Sequence, residues 1–407
     1  MKSMRVVPVK ATAAPPPKRQ EHRARWDRPF VYLALAMVMH LVISLYLAMW
    51  IFVILFARGP DLKFTRILWP QTTIATYAGF IGLHLYAIAV ACLPQRRPQR
   101  RVSDTPVLEG TLVSFQSLQT MTKRIHESED QFFIVFNMLE IACQSHQAYD
   151  YFATSVERSK AISYLGIVIL YSFASPLILF VRNTRAKTTL INLADSIFSF
   201  ALSCGHPMFA VVLAMLDYVL LNANLAHDNL WATRTALLAR LLAISDVFDY
   251  ICKCAMHLGT FIALLRFVRT LRRRPSPNHP TVADIPVIVT PRKRLLLRVN
   301  LWMNVAWACI LTIVLVRSLA LRHPCPSYCI ADVRPLFDDT CQCAYANINC
   351  VALNATDPTE FLHPEDVGTH MFYLQISRCD LRTGLSQMSL TPFVNLNKLM
   401  LVYSNME

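Results

Sequence analysis

Several ionisable side chains lie inside long apolar stretches of the chain, where they could carry ions or protons. They are Glu140, Asp195, Asp249 and Lys253, together with the histidines His40, His84 and His206. On a helix, Asp249 and Lys253 share one face because they are four residues apart. Charged groups are costly inside a bilayer, so they often mark an ion or proton path. The alternative is that these groups hold helices together or reach water near helix ends.

Two lines near the C-terminus repeat one pattern with a period of 25 residues. Met371–Leu381 reads Met-x-x-Leu-x-Ile-x-x-Cys-x-Leu, and Leu396–Met406 reads Leu-x-x-Leu-x-Leu-x-x-Ser-x-Met. This spacing is that of a leucine-rich repeat. The predicted repeat core consists of Leu374, Ile376, Cys379, Leu381, Leu399 and Leu401. A chance match is the alternative, because only two lines are visible.

The leucines of such a strand point into a stacked core, and the side chains between them point outward. The predicted ligand-face residues are Tyr373, Gln375, Ser377, Lys398, Met400 and Val402. A solvated sheet face without a partner is the alternative for each of them.

Cysteines are concentrated around these lines, since six of the twelve lie within residues 325–379. Such crowding is typical of disulfides in an oxidising compartment. We expect Cys379, at its repeat position, to be reduced, so that one of the other five is unpaired or bonded to another chain. Those five disulfide candidates are Cys325, Cys329, Cys341, Cys343 and Cys350, whose pairing spacing alone does not give. A zinc site is the rival interpretation, but no histidine in the cluster has a ligand spacing.

The composition predicts an integral membrane protein. Of the 407 residues, 54% are apolar and 16% are charged, and the mean hydropathy is +0.37. Several apolar runs reach the roughly 17–25 residues that cross a bilayer as a helix. The net charge of +14 does not indicate nucleic acid, because the basic residues flank the apolar runs. There they set topology and contact anionic lipids, so the predicted partner is the lipid bilayer.

We predict an all-α transmembrane bundle over residues 30–319, after a basic, disordered cytoplasmic tail over residues 1–29. The seven predicted spans are 30–56, 72–93, 131–152, 161–181, 188–221, 242–268 and 296–319. Span 131–152 is polar in its second half, so a total of five or six spans is the alternative to seven. Gly205-His206-Pro207 interrupts span 188–221 and predicts a kink, because proline removes a helical hydrogen bond.

The distribution of Lys and Arg predicts the orientation of the bundle. With seven spans and a cytoplasmic N-terminus, the inner segments are much richer in basic residues than the outer loops. An odd number of spans places everything after Leu319 outside. The one Asn-x-Ser/Thr sequon, Asn354-Ala355-Thr356, agrees, because Asn354 can be glycosylated only on that side.

The cysteine pattern Cys325-Pro-x-x-Cys329, Cys341-x-Cys343, Cys350 resembles the cap of extracellular leucine-rich repeat arrays. It departs from that cap by the eleven residues between Cys329 and Cys341. The chain as a whole resembles oomycete-type multi-pass membrane proteins with a C-terminal leucine-rich repeat ectodomain. The resemblance implies a small α/β module, with a cysteine-rich cap over 320–370 and incomplete repeats over 371–407. Because a self-supporting array needs at least three repeats, we expect this chain to be part of a longer protein.

The predicted function is a recognition or adhesion receptor of the plasma membrane that binds an extracellular protein or carbohydrate. The runner-up is a transporter or channel that uses the intramembrane polar residues. The lack of any Gly-x-x-x-Gly contact weakens that reading. A G-protein-coupled receptor fits poorly, because the predicted N-terminus is inside. We expect no enzyme activity and no cofactor, since no Gly-x-Ser-x-Gly, phosphate-binding loop or His-Glu-x-x-His motif occurs.

Overall fold

A computed structural model describes residues 29–59, 65–93, 135–178, 184–272, 291–382 and 384–404. Apart from Pro29, the predicted tail over residues 1–29 lies outside the described residues. Up to residue 320 the described chain is mainly helical. Its helices are α1 (Pro29–Phe56), α2 (Pro70–Cys92), α3 (135–154), α4 (Arg158–Ile178), α5 (Thr184–Phe200), α6 (His206–Leu216), α7 (Asn229–Leu242), α8 (Val247–Arg272) and α9 (Pro291–Ala320).

Five of the described helices are long and apolar enough to cross a membrane. They cover Phe30–Phe56, Pro70–Cys92, Thr189–Leu220, Val247–Arg272 and Arg298–Ala320. The first of them, α1, has no Asp, Glu, Lys or Arg and is apolar all round, as expected of a helix in lipid. These helices associate the chain with a membrane.

Two of the seven predicted spans have helical counterparts outside this set. Span 131–152 corresponds to α3, whose polar residues Glu140, Gln144 and Gln147 are buried inside the bundle. Span 161–181 corresponds to α4, but its last residues, 179–181, lie outside the described residues.

The predicted break at Gly205-His206-Pro207 takes the form of a π-helical segment. Ala201–Gly205 is π-helical and joins α5 to α6, which begins at His206. A second π-helical segment, Asp217–Leu221, follows α6. Pro207 lacks the N–H that would continue an α-helical ladder, which explains the change of hydrogen bonding at this point.

Helix α8 lies at the centre of the bundle. It packs against α1, α2 and α5, while α4 packs against α9 and α5. Among the five apolar helices, α8 is the most buried, at 61% of its apolar window, and α9 is the least, at 17%. Polar side chains on α8 therefore face protein, whereas α9 presents most of its surface outward.

One end of the bundle contacts the C-terminal module, residues 321–404. The contacts include Arg66 with Asn395, Phe152 with Arg334, and Arg158 with Asp332. At the opposite end, the C-terminus of α8 meets that of α2, where Arg272 donates hydrogen bonds to the carbonyl oxygens of Val90 and Ala91.

The module is built on a four-stranded sheet in the order β1-β2-β3-β4. The strands are β1 (Cys329–Val333), β2 (Gln342–Asn349), β3 (Tyr373–Ser377) and β4 (Lys398–Val402). β1 is antiparallel to β2, and β2, β3 and β4 are parallel. Leu374 lies opposite Leu399, and Ile376 lies opposite Leu401, which is the register that the 25-residue period predicts.

β2 is a third parallel strand that the sequence pattern did not reveal. Ala346 lies opposite Leu374, and Ile348 lies opposite Ile376, so β2 extends the same inward-facing rows. It was missed because Ala346 stands where a leucine was expected and the spacing to the next line is longer than 25 residues. β2 thus falls in the stretch that the sequence assigned to the cap.

All six cysteines of the module are paired. The disulfides join Cys325 to Cys341, Cys329 to Cys343, and Cys350 to Cys379. The expectation of a reduced Cys379 is therefore wrong, because the turn after β3 places this thiol against the end of β2. The sulfurs of Cys325, Cys329 and Cys341 lie within 4.8 Å of one another, and the disulfides account for that closeness without zinc.

Candidate functional site

Helix α8 carries a row of polar side chains along its buried face. Asp249, Lys253, His257 and Thr260 follow one another at spacings of three or four residues, so they form one stripe. Asp249 is only 3% exposed, and His257 and Thr260 are also buried. Buried polar groups need partners, and the partners of this stripe come from four other parts of the bundle.

At the module end of the stripe, Asp249 and Lys253 form a buried ion pair. Lys253 Nζ lies 2.8 Å from Asp249 Oδ2. Gln147 Nε2 of α3 donates to Asp249 Oδ1 at 2.7 Å, and the Ser245 backbone N–H donates to Oδ2 at 3.0 Å. The structure thus brings together the two residues that the sequence paired, and it adds a third helix.

Lys253 also holds the end of α7. Its Nζ donates to the carbonyl oxygens of Ala243 at 2.6 Å and Leu241 at 3.2 Å. The carbonyls in the last turn of a helix have no partner within the helix and carry partial negative charge. One ammonium group therefore satisfies both a carboxylate and a helix C-terminus.

The middle of the stripe borders a small cavity of about 20 Å³. Lys253 and His257 line it from α8, Tyr46 and Tyr77 line it from α1 and α2, and Ser203 lines it from the π-helical segment. About 10–15 Å³ of such volume is enough for one water molecule. The cavity therefore has room for a water between the Lys253 ammonium and the hydroxyl groups that follow.

Hydroxyl groups continue the stripe toward the other end of the bundle. Ser203 Oγ and Thr260 Oγ1 lie 2.9 Å apart, and the single hydrogen of the Thr260 hydroxyl is shared between the carbonyl oxygens of Met256 at 2.9 Å and Ser199 at 3.1 Å. Ser199 Oγ in turn donates to Glu140 Oε1 at 2.6 Å. The π-helical segment places Ser203 beside Thr260, and such segments are frequent at functional sites.

Glu140 and Asp195 end the row of polar groups. Glu140 also accepts a hydrogen bond from Gln144 Nε2 at 3.1 Å, and it lies close enough to Asp195 for the two carboxyl groups to interact. Tyr171 Oη donates to Asp195 Oδ1 at 2.6 Å, and Arg266 Nη1 lies 4.0 Å from Asp195 Oδ2. Arg266 is near the end of α8 opposite the module. We call the whole row, from Asp249 to Asp195, the polar path.

The three histidines predicted alongside these residues lie elsewhere. His40 of α1 and His84 of α2 pair with each other, with their Nδ1 atoms 2.6 Å apart, and both are buried. His206 lies 2.8 Å from the Ser163 hydroxyl and contacts the rings of Tyr151 and Tyr164. His257 lines the cavity of the polar path, and it was not among the predicted site residues.

A second, larger cavity lies between the module and the bundle. Its volume is about 180 Å³. Bundle residues that line it include Arg66, Asp150, Arg240 and Asp249, and the module contributes Val333, His370, Phe372 and Asn395. Asp249 therefore belongs both to this cavity, which we call the cleft, and to the polar path.

Much of the predicted ligand face of the module is covered. Tyr373 is 1% exposed, stacks on Tyr345 at 4.6 Å between ring centroids, and belongs to a buried cluster with Leu237 of α7. Ser377 is also buried. Both side chains are thus buried instead of open to a ligand, and Tyr373 lies against the chain's own α7.

The remaining ligand-face candidates are less covered. Gln375 accepts a hydrogen bond from Tyr345 Oη at 2.8 Å and is half-buried, as is Val402. Lys398 and Met400 on the edge strand β4 are exposed. The inward-facing Leu399 is 41% exposed, because no described strand lies beyond β4. Asn354 is exposed in a turn of the module.

No family model, curated protein or solved structure matches this chain.

Proposed function

We propose that this protein is a multi-pass membrane protein that conducts protons along the polar path beside α8. The observation that carries the proposal is the near-continuous row of buried and half-buried polar groups from Asp249 to Asp195. Chains of Asp, Glu and His side chains serve as proton relays in membrane proteins. The small volume of the cavity in the path, about 20 Å³, favours a proton over a larger solute.

The proposal includes a topology. Five helices suffice by length and composition, and the contacts of α3 and α4 within the bundle support two further crossings. The two ends of the polar path, at Asp249 and Asp195, then lie near opposite faces of the bilayer. The disulfides of the module support an oxidising, extracellular position for it. We assign a cytoplasmic N-terminus, an extracellular C-terminus and the plasma membrane on this basis.

A proton-flux assay on purified protein in liposomes tests the proposal. A pH-sensitive dye inside the vesicles reports acidification after the outside is acidified, with valinomycin and K⁺ to clamp the membrane potential. We expect wild type to acidify the lumen faster than empty vesicles. Glu140→Gln should slow the flux at least tenfold, because an amide accepts the Ser199 hydrogen bond but does not exchange a proton.

The matched control is Asp217→Asn, which removes an exposed carboxyl group from the apolar stretch that also holds Asp195, at a position outside the polar path. It should conduct as fast as wild type. Equal rates for wild type and empty vesicles, or for wild type and Glu140→Gln, would refute proton conduction along this path.

Recognition of an extracellular protein or carbohydrate is the second candidate function. One observation favours it, which is that the edge strand β4 exposes Lys398 and Met400 beside the half-exposed Leu399. Parallel, in-register strands with inward-facing leucines are also the architecture of leucine-rich repeats. If β4 binds a ligand, Lys398→Glu should abolish capture on protein or glycan arrays. Capture that is unchanged by this substitution would exclude β4 as the binding surface.

A further inference from the structure

The cleft between the module and the bundle brings together charged groups of both signs. Arg66 comes from the segment before α2 and Arg240 from α7, while Asp150 belongs to α3 and Asp249 to α8. Four separate elements of the bundle thus direct charge toward one cavity of about 180 Å³.

The two guanidinium groups lie near each other. Burial and the nearby Arg66 lower the pKa of Arg240 to about 10. Arg240 also sits over the ring of Phe372, 4.8 Å from its centroid, while Arg66 Nη1 donates to Asn395 Oδ1 at 3.1 Å. These contacts with the module fix both side chains at the cavity wall. A carboxylate placed between them would relieve their repulsion, and guanidinium groups bind carboxylates through two parallel hydrogen bonds.

The two carboxyl groups belong to the same cavity wall. Asp150 and Asp249 both line the cleft. Each has a basic side chain beside it, since His146 Nε2 lies 3.4 Å from Asp150 Oδ2 and the Lys253 ammonium nitrogen lies 2.8 Å from Asp249 Oδ2. Carboxylate oxygens accept several hydrogen bonds at once, so both can still accept bonds from an ammonium group in the cavity.

Apolar side chains complete the wall of the cleft. Leu237 and Leu241 line it from α7, and Val333 and Phe372 line it from the module. Pockets for drug-sized ligands measure about 300–1,000 Å³. A cavity of 180 Å³ therefore suits a much smaller molecule with one short apolar group.

We propose that the cleft is a binding site for a small zwitterion, namely an α-amino acid with a short apolar side chain. The carboxylate lies between Arg66 and Arg240, the ammonium group lies at Asp150 and Asp249, and the side chain contacts Phe372 and Leu237. The bound molecule would contact the bundle and the module together. This inference does not depend on proton conduction, although Asp249 connects the two sites.

Binding can be measured by calorimetry on the full-length protein in nanodiscs. The probes are L-alanine and L-valine, compared with propionate, which lacks the ammonium group, and ethylamine, which lacks the carboxylate. We expect saturable binding of at least one amino acid and at least tenfold weaker binding of both single-charge compounds. Propionate binding as tight as that of the amino acids, or no binding of any probe, would overturn the proposal.

Two variants locate the site. Arg66→Gln should weaken amino-acid binding at least tenfold, because it removes one carboxylate contact from an exposed side chain. Arg158→Gln is its control, since Arg158 also links bundle and module, through Asp332 at 3.4 Å, but it does not line the cleft. Unchanged affinity in Arg66→Gln, with a melting curve like wild type, would exclude the cleft.

The same assay separates this proposal from the proposed function. Glu140→Gln should bind the amino acid as tightly as wild type while losing proton flux, because Glu140 is remote from the cleft lining. Loss of binding in that variant would contradict the separation of the two sites.

Discussion

At the scale of single residues, Lys253 connects the start of α8 to the end of α7. Its ammonium group neutralises Asp249 and donates hydrogen bonds to two carbonyl oxygens at the end of α7. A buried charge is tolerated only when it is paired and hydrogen-bonded. Losing Lys253 and losing Asp249 should therefore lower the stability of the protein by different amounts, and this difference can be measured.

We predict that Lys253→Met destabilises the protein more than Asp249→Asn does. Loss of the ammonium group leaves Asp249 and two helix-end carbonyls without their cation, and removing one partner of a buried ion pair costs about 3–5 kcal/mol. Asp249→Asn leaves Lys253 bound to the carbonyl oxygens of Leu241 and Ala243. Thermal unfolding in detergent measures the difference.

The double substitution is the control for this prediction. It removes both charges, so it should be more stable than Lys253→Met alone. If Asp249→Asn lowers the stability more than Lys253→Met does, the hydrogen bonds from Lys253 to α7 stabilise the protein less than predicted.

Residue spacing predicted some of the polar path but not all of it. The Asp249–Lys253 pair was visible because both residues lie on one helix, four positions apart. The partners of Glu140 were not visible, because Ser199 and Gln144 are uncharged and Ser199 lies on another helix. His257 could have been predicted as the next member of this row, because it lies four residues after Lys253 on α8. The row itself was not predicted from the sequence.

At the scale of helices, the contact of α3 with α8 depends on the absence of a side chain at Gly259. A Cβ atom there would lie 3.0 Å from the carboxyl carbon of Glu140 and 3.1 Å from Phe136 Cε1. Glycine therefore allows the two helices to approach where Glu140 meets the polar path.

We predict that Gly259→Ala lowers stability by about 1–3 kcal/mol, the usual cost of overpacking a filled interior. It should also slow proton flux, because the Glu140 carboxyl group must move. Gly166→Ala in α4 is the matched control, since no atom lies within 4 Å of its added Cβ. A neutral Gly259→Ala would mean that α3 and α8 are not in close contact.

At the scale of strands, the disulfide between Cys350 and Cys379 fastens the end of β2 to the turn after β3. It spans 29 residues of sequence. Such a crosslink restricts the unfolded chain and holds successive parallel strands together.

We predict that replacing Cys350 and Cys379 together by serine lowers the stability of the module by about 2–5 kcal/mol. Limited trypsin digestion of the full-length protein should then cut at Arg378 or Arg382. Cys309→Ser, which removes an exposed free thiol of α9, should leave the digestion pattern unchanged. A double variant that resists trypsin like wild type would contradict the paired state of Cys379.

The strands show how far a repeat pattern predicts structure. The alignment of Leu374 with Leu399 predicted the β3–β4 register because strand pairing follows the side-chain period. It did not predict that the outward face of β3 would dock on α7. That contact depends on Leu237, which is remote in sequence and belongs to a helix with no repeat signal.

At the scale of the whole molecule, one end of the bundle is covered by the module and the other is rich in arginine. In the proposed topology the module is extracellular. We predict that, in a glycosylating host, wild type carries a glycosidase-sensitive glycan that Asn354→Gln lacks. A reporter fused after Glu407 that reads as cytoplasmic would reverse the assigned orientation.

The central claim is that protons move along the polar path, and the reversal potential of whole-cell currents tests it most directly. Cells expressing wild type should show a current whose reversal potential shifts by about 59 mV for each unit of pH difference across the membrane. Glu140→Gln should remove this current at equal surface expression, while Asp217→Asn should preserve it. A reversal potential that ignores pH and follows K⁺ or Cl⁻ instead, or a current that persists in Glu140→Gln, would contradict the account.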